Sequence, residues 1–428
     1  MAAVPPSGPT NSGPGAIATD HSVAAGAGGA AAAGQNAIAI AGTNAHVLIV
    51  QPGDGAGAMA EFASAIRPSP VRWPRRDPPR RLRALVGRTE TAKALDASIA
   101  DGAATVLVGL EGAGKTTLLV DVLNGATAGG NVDGVILLER APGSPPDSAD
   151  DLAQRIHDAV WDTGTPRRLV DVNTAQTALT GVSPVVAIDG YEVGGTEQEV
   201  VVRILPRSPI VFVASVPQPG RALRTLHVGP LPRVDAIRLL SERAGIEPTA
   251  EPVAVDRAAE LLDDWPGALA TIGDLIGGGR LSLGRAVELL TAAPVGDLAP
   301  PARAYRRAVA VLRATLNPGE QAMLDAVAGL QGVSVREDVA KAVAEATVAA
   351  SSQLSSGVET TSALQSLVAG GILWRNSPRL RMDGGLRAAL LAETSPDAAG
   401  MALATLAETS VILAPDRSLG TLVSLRTV

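Results

Sequence analysis

The chain has 428 residues, a net charge of −7, 46% hydrophobic residues and only 2% aromatic ones. That length fits about two to four domains, whose interiors must be built from Ala, Val and Leu, and the acidic balance gives no chain-wide attraction to nucleic acid or anionic membrane. The absence of cysteine excludes disulfides, thiolate nucleophiles and cysteine-ligated zinc, and the four histidines (His21, His46, His157, His227) lack ligand spacing.

The start, Met1-Ala-Ala-Val-Pro-Pro6, has neither the charged nor the apolar region of a secretory signal. No run approaches the roughly 18 apolar residues of a spanning helix. The expectation is a soluble cytoplasmic protein without membrane contact.

Residues 1–50 are Ala/Gly-rich and repeat a turn followed by small and β-branched residues, as in Gly34–Ala41 and Gly42–Ile49. Two readings stay open here. One is a small β-solenoid that gains a core only by stacking with other copies; the other is a disordered low-complexity leader. Residues 51–82 read as a linker, with Pro68, Pro70, Pro74, Pro78 and Pro79 favouring an extended, arginine-rich connector.

From Leu85 apolar strand candidates (105–109, 134–138, 184–188, 209–214 and 226–229) alternate with helical patterns, one of them running from an N-cap at Ser148 to Trp161. This alternation predicts an α/β domain with a parallel sheet covered on both faces over 83–231. The strands then stop. Residues 233–244, 253–263, 266–277 and 282–293 read as short helices, a helical region over 232–298. Residues 299–392 are mostly helical and end in two short strands around Asn376-Ser-Pro378, the pattern of a winged helix. Residues 393–428 read as a weakly helical tail.

The most specific signal is Val106-Leu-Val-Gly-Leu-Glu-Gly-Ala-Gly-Lys-Thr-Thr117. A strand, then Gly109-x-x-x-x-Gly114-Lys115-Thr116, then a helix opening at Thr117 is the phosphate-binding loop in the context that gives it meaning. Gly109, Gly112 and Gly114, with Ala113 between the last two, let several backbone N–H groups converge on one polyphosphate at a helix N-terminus. Lys115 is one of three lysines in the chain; its ammonium would meet the outer phosphates, and the Thr116 hydroxyl would ligate Mg²⁺. Val185-Val-Ala-Ile-Asp189 supplies an acidic strand end, with Asp189 positioned to hold a metal-bound water. Hydrolysis also needs a base. Gly190 cannot serve, and Glu192 is the nearest carboxylate along the chain.

In their order these motifs resemble the signal-transduction ATPases with numerous domains (the STAND class), in the NB-ARC branch of apoptotic ATPases and plant resistance proteins. Val86-Gly87-Arg88 stands where that family's adenine-side Gly-Arg motif does. Leu226-His-Val-Gly-Pro-Leu231 is similar to its segment leading into a helical lid, and Asp264-Trp-Pro-Gly-Ala-Leu269 to the lid motif whose proline, here Pro266, packs near the nucleotide. The resemblance implies ATP or ADP with Mg²⁺ as cofactors, a helical lid over 232–298 and a winged-helix domain over 299–392. It departs from the family at Thr91, Gly190, Ser215 and Asp383, where an acid, a second acid, an arginine and a phosphate-facing histidine are usual.

These features together predict a nucleotide-controlled switch that couples nucleotide state to conformation and self-assembly, with slow or absent hydrolysis. The expected partners are copies of itself in an ATP-dependent state and a protein signalling partner of unknown identity. Two alternatives remain: a winged-helix transcriptional regulator, against which the acidic charge argues, and a scaffold that holds nucleotide without hydrolysing it.

Overall fold

A computed structural model describes residues 23–25, 38–41, 46–49, 71–72, 85–128, 133–139, 147–162, 169–190, 195–216, 223–330, 335–350, 360–376 and 379–393. The chain divides into two compact units. The smaller holds residues 1–76, 147–184 and 196–208; the larger holds residues 77–146, 185–195 and 209–428.

In the smaller unit Val23–Ala25, Ile38–Ala41 and His46–Ile49 form a three-stranded sheet, parallel between the first two and antiparallel between the last two. The helix Ala149–Val160 is capped by Ser148, whose hydroxyl accepts the Asp151 N–H at 3.1 Å, and the helix Val172–Ala178 by Asp171, which accepts the Thr174 N–H at 2.7 Å. Each cap satisfies an N–H that the first helical turn leaves without a partner.

The larger unit is built on a five-stranded parallel sheet of β1 (Ala104–Val108), β2 (Val135–Glu139), β3 (Val185–Asp189), β4 (Ile210–Ala214) and β5 (Arg224–His227), in the order β5-β1-β4-β3-β2. β1, β3 and β4 are buried almost end to end, as expected for strands covered on both faces. β5, at one edge, is largely exposed. Parallel pairing brings all five C-terminal ends to one edge of the sheet, the edge at which such folds bind ligands. Helices α1 (Thr89–Ala100) and α2 (Lys115–Ala128) flank β1 in sequence.

Four helices follow: α3 (Arg233–Ala244), α4 (Pro252–Leu261), α5 (Pro266–Gly277) and α6 (Leu283–Ala292). Proline in the first turn of α4 and α5 costs no hydrogen bond there and presets the helical φ. Next come α7 (Ala302–Thr315), α8 (Pro318–Gly329), β6 (Val335–Arg336), α9 (Glu337–Ala350), α10 (Thr360–Ala369), β7 (Trp374–Asn376), β8 (Arg379–Arg381) and α11 (Gly384–Glu393). The three short strands make an antiparallel sheet in the order β6-β8-β7. Residues 394–428, the linker between 51 and 82 outside its two described residues, and Glu192 lie outside the described residues.

One continuous apolar cluster runs through this unit, from Leu107, Leu118 and Val213 at the sheet through Leu240, Leu269 and Val309 to Leu324, Leu364 and Leu386. Its members are nearly all Leu, Val, Ile and Ala; Trp265 and Tyr305 are the aromatic ones. No helix among the described residues is long and apolar enough to cross a membrane.

A buried ion pair fastens the C-terminal half. Arg280 donates to both oxygens of Glu320 (2.8 and 3.2 Å) and to the Ser366 hydroxyl and carbonyl, while Glu320 also accepts the Asn317 N–H in a capping box at the start of α8. Burial pushes the Glu320 carboxyl up, but the hydrogen bonds from Arg280, Ser366 and Asn317 outweigh it and hold the group below its ordinary value. A depressed carboxyl contributes stability above its unfolded pKa and loses it as the pH falls through the folded one. Glu320→Gln should therefore cost roughly 1–3 kcal/mol at neutral pH. In denaturant titrations that deficit should shrink steadily below about pH 4; a deficit independent of pH would show that the charge contributes nothing.

Candidate functional site

The loop between β1 and α2 lies at the C-terminal edge of the sheet, and its shape follows from its glycines. Gly112 has φ +71°, and a Cβ placed there would lie 1.6 Å from the Tyr305 hydroxyl oxygen. Gly109 has a different reason: its own N–H bonds to the Ala214 carbonyl at 3.2 Å, and a Cβ would lie 2.1 Å from the Val228 carbonyl. The residue after β5 thus approaches the start of the loop too closely for any side chain, while β4 holds it by its backbone.

Every carbonyl from Gly109 to Gly114 has a donor. The Lys115 ammonium takes those of Gly109 and Leu110, at 2.5 and 3.0 Å. The Trp265 indole N–H donates to Glu111 at 2.9 Å, the Gly267 N–H to Gly112 at 2.9 Å, and the Arg88 guanidinium to Ala113 at 3.2 Å. The Gly114 carbonyl accepts the Leu118 N–H at 3.0 Å, the first bond of α2. With its acceptors engaged, and the N–H groups of Gly109 and Ala113 bonded to the Ala214 and Leu110 carbonyls, the loop has its remaining N–H groups to offer an anion at the N-terminus of a 14-residue helix.

Lys115 and Thr116 open α2. Burial lowers the Lys115 pKa, opposed by the charges of Asp189, Glu111 and Asp383. The Thr116 hydroxyl donates to Asp189 Oδ2 at 2.6 Å. Asp189 ends β3, and burial raises its pKa, with the nearby Glu139 carboxylate adding to that; Thr116 and Lys115 pull it down without cancelling the rise. A hydroxyl and a carboxylate side by side are hard oxygen donors of the kind Mg²⁺ takes alongside phosphate oxygens and water. These two residues fit that ion beside phosphate oxygens and water; no cluster of three or more His, Cys, Asp or Glu side chains able to hold a metal stands anywhere among the described residues.

The sequence candidates upstream of the loop sit behind it. Val86 is buried, Gly87 has φ +67°, and Arg88 is the N-cap of α1 with φ 68°. The Arg88 guanidinium also donates to the Gly229 and Pro230 carbonyls, binding the segment after β5 to the back of the loop. Pro266 is the first residue of α5. Its placement rests on Asp263 and Asp264, both left-handed at φ 52° and 54° and both ion-paired, Asp263 with Arg303 of α7 and Asp264 with Arg233 of α3 at 2.7 Å. Aspartate tolerates this conformation better than most residues, and the two clamps hold the turn that aims Trp265 and Gly267 at the loop.

Two residues absent from the sequence reading also belong here, Tyr305 and Glu139, together with Trp265 and Arg381, to which that reading gave no part in holding the loop. Tyr305, on α7, is 2% exposed and fills a space left by three glycines, Gly112 of the loop, Gly267 of α5 and Gly385 of α11. Burial, then the neighbouring Asp383, holds its phenol far above the ordinary range, so it stays neutral. Scarcity was the available signal, since only two tyrosines and four tryptophans occur in 428 residues. Arg381 of β8 pairs with Glu139 of β2 through both guanidinium nitrogens.

A parallel sheet in this order, ending in a strand, a Gly-x-x-x-x-Gly-Lys-Thr loop and a helix, is a P-loop NTPase fold. No family model and no curated protein matches the sequence significantly. Among solved structures, the chain is similar to the Walker-type ATPase of Pyrococcus abyssi (16% identity, covering 73% of this chain and 98% of that one, TM-score 0.38). It is also similar to a STAND protein with a tetratricopeptide repeat sensor from Pyrococcus horikoshii (12% identity, covering 80% of this chain, TM-score 0.47), of which it spans about half, 47%. A third likeness is to Cdc6p from Pyrobaculum aerophilum (14% identity, 78% and 97% covered, TM-score 0.36). With overlaps this loose, the fold is read from the chain's own sheet order and loop.

The Tyr305 contact is testable. A Cβ at Gly267 would meet the Tyr305 hydroxyl at 1.9 Å although its backbone suits any residue, so Gly267→Ala should destabilise the protein by roughly 1–3 kcal/mol. Removing the hydroxyl with Tyr305→Phe should recover part of that loss in urea melts of the double variant. Strictly additive effects of the two substitutions would show that hydroxyl and glycine do not oppose each other.

Proposed function

We propose that this chain is a STAND-like nucleotide switch. ATP or ADP with Mg²⁺ binds at Gly109–Thr117, Lys115 meets the outer phosphates, and Thr116 and Asp189 hold the ion. The observation that carries this reading is the junction of loop and helix: Gly267 N–H on the Gly112 carbonyl and Trp265 Nε1 on the Glu111 carbonyl, both 2.9 Å. Phosphates gathered by the N–H groups of residues whose carbonyls are bonded to α5 cannot shift the loop without disturbing the N-terminus of that helix. The region 232–298 then acts as a helical lid, and 299–392 as a winged-helix domain that follows the lid through Tyr305. A γ-phosphate that favours one arrangement biases the whole pair. The output is assembly with other copies of the chain and with a protein signalling partner, and hydrolysis resets the state.

Calorimetry with Mg·ATP tests the binding step. Lys115→Ala should remove detectable binding and lower the melting temperature only modestly, because it deletes a site ammonium and its bonds to the Gly109 and Leu110 carbonyls but no core packing. Asp189→Ala should weaken Mg·ATP more than metal-free ADP. Unchanged affinity in Lys115→Ala would sink the nucleotide reading, and equal losses for the two ligands would remove Asp189 from the metal site.

Assembly is tested separately. Light scattering on the full chain and on a variant lacking residues 1–66, with ADP and with Mg·ATP, should show a larger mass only for the full chain with Mg·ATP. Identical masses in every state would exclude the N-terminal segment as the assembly device.

A further inference from the structure

Gly190, which follows Asp189, offers no carboxylate, so β3 does not furnish the base that hydrolysis requires. The neighbouring strand ends in a carboxylate. Glu139 is the last residue of β2 and pairs in register with Asp189, the last residue of β3. In-register residues of adjacent parallel strands lie about 4.8 Å apart with side chains on the same face. Both carboxylates therefore stand at the C-terminal edge of the sheet, Asp189 bonded to Thr116 at the end of the phosphate loop and feeling the charge of Glu139 beside it.

Glu139 is held there by an arginine. Arg381 of β8, 242 residues further along, donates from Nη1 to Oε1 at 3.1 Å and from Nη2 to Oε2. A two-point guanidinium–carboxylate pair is geometrically specific and occupies both oxygens that would otherwise accept a proton. Each side chain of the pair is about one-third exposed, so it can exchange with solvent and is not sealed into the core. The competing carboxylate, Glu111 of the loop, lies toward Gly384, 3.5 Å from the position of a Cβ there.

We propose that Glu139 is the base that activates water for ATP hydrolysis and that Arg381 masks it, so that withdrawal of the β7–β8 hairpin licenses turnover. In the unmasked state Glu139 takes one proton from a water whose oxygen bonds to the γ-phosphorus. The bond from that phosphorus to the β,γ-bridging oxygen breaks, and its electron pair leaves with ADP. The products are ADP and inorganic phosphate, and the proton on Glu139 returns to solvent. This inference rests on the nucleotide-site reading above.

The test uses the full chain, Glu139→Gln, Arg381→Gln, the double variant and Glu111→Gln, each checked by thermal melting. Mg·ATP affinity is measured by calorimetry and phosphate release by a continuous assay. Arg381→Gln should raise release about tenfold, the factor expected for freeing a base from one charge-assisted hydrogen bond. Glu139→Gln should bind Mg·ATP like the parent yet release phosphate about 100-fold more slowly, within the usual range for loss of a general base. The double variant should match Glu139→Gln. Should Arg381→Gln fail to fold, Glu139→Gln against the parent still decides the identity of the base. Parent-like release from Glu139→Gln, lower release from Arg381→Gln, loss of release in Glu111→Gln alone, or bound Mg·ATP with no release from either the parent or Arg381→Gln would each overturn the proposal. Failure of the parent to bind Mg·ATP is read separately and would overturn the nucleotide-site reading itself.

Discussion

The larger unit depends on how six consecutive carbonyls, Gly109 to Gly114, are satisfied. A loop that presents its N–H groups to an anion must turn its carbonyls the other way, and an unbonded buried carbonyl costs as much as a lost hydrogen bond. Here the donors come from Lys115, Leu118, Arg88, Trp265 and Gly267. The last three lie in segments far apart in sequence, so the binding loop is assembled by the tertiary fold and is not a self-contained turn. Whatever moves those segments moves the loop.

The core composition sharpens this dependence. With interiors built from Leu, Val and Ala, most of the packing is soft and permissive of substitution. The aromatic members of the central cluster, Trp265 and Tyr305, both touch the phosphate loop or the glycines around it. Large rigid side chains are placed where position matters. The left-handed pair Asp263 and Asp264, each tied to an arginine, fixes the entry angle of α5, and the depressed Glu320 carboxyl fastens the helices behind it.

The parallel sheet and its helices were legible because their cues are local: apolar runs, caps and a glycine pattern with one of three lysines. Strand ends fell within one or two residues of the sequence reading, and α3 and α5 coincide with the expected 233–244 and 266–277. The carboxylate beside Asp189 illustrates what stayed hidden. Searching forward from Asp189 leads to Glu192, whereas Glu139 stands beside Asp189 only because β2 pairs with β3, an arrangement that strand order decides. Tyr305 was equally invisible, since its pocket is made by glycines at 112, 267 and 385, unremarkable one by one in a chain with 46 of them.

The indole bond to Glu111 gives the molecule an optical readout of its own. Of the four tryptophans, Trp374 is 40% exposed, while Trp265 is 4% exposed with its N–H on the phosphate loop. Indole emission is sensitive to the hydrogen bond at that nitrogen and to charge beside the ring. A ligand on the loop that disturbed this bond would therefore change the emission of Trp265, over a background from the half-buried Trp161, whose own N–H is bonded to the Ala178 carbonyl.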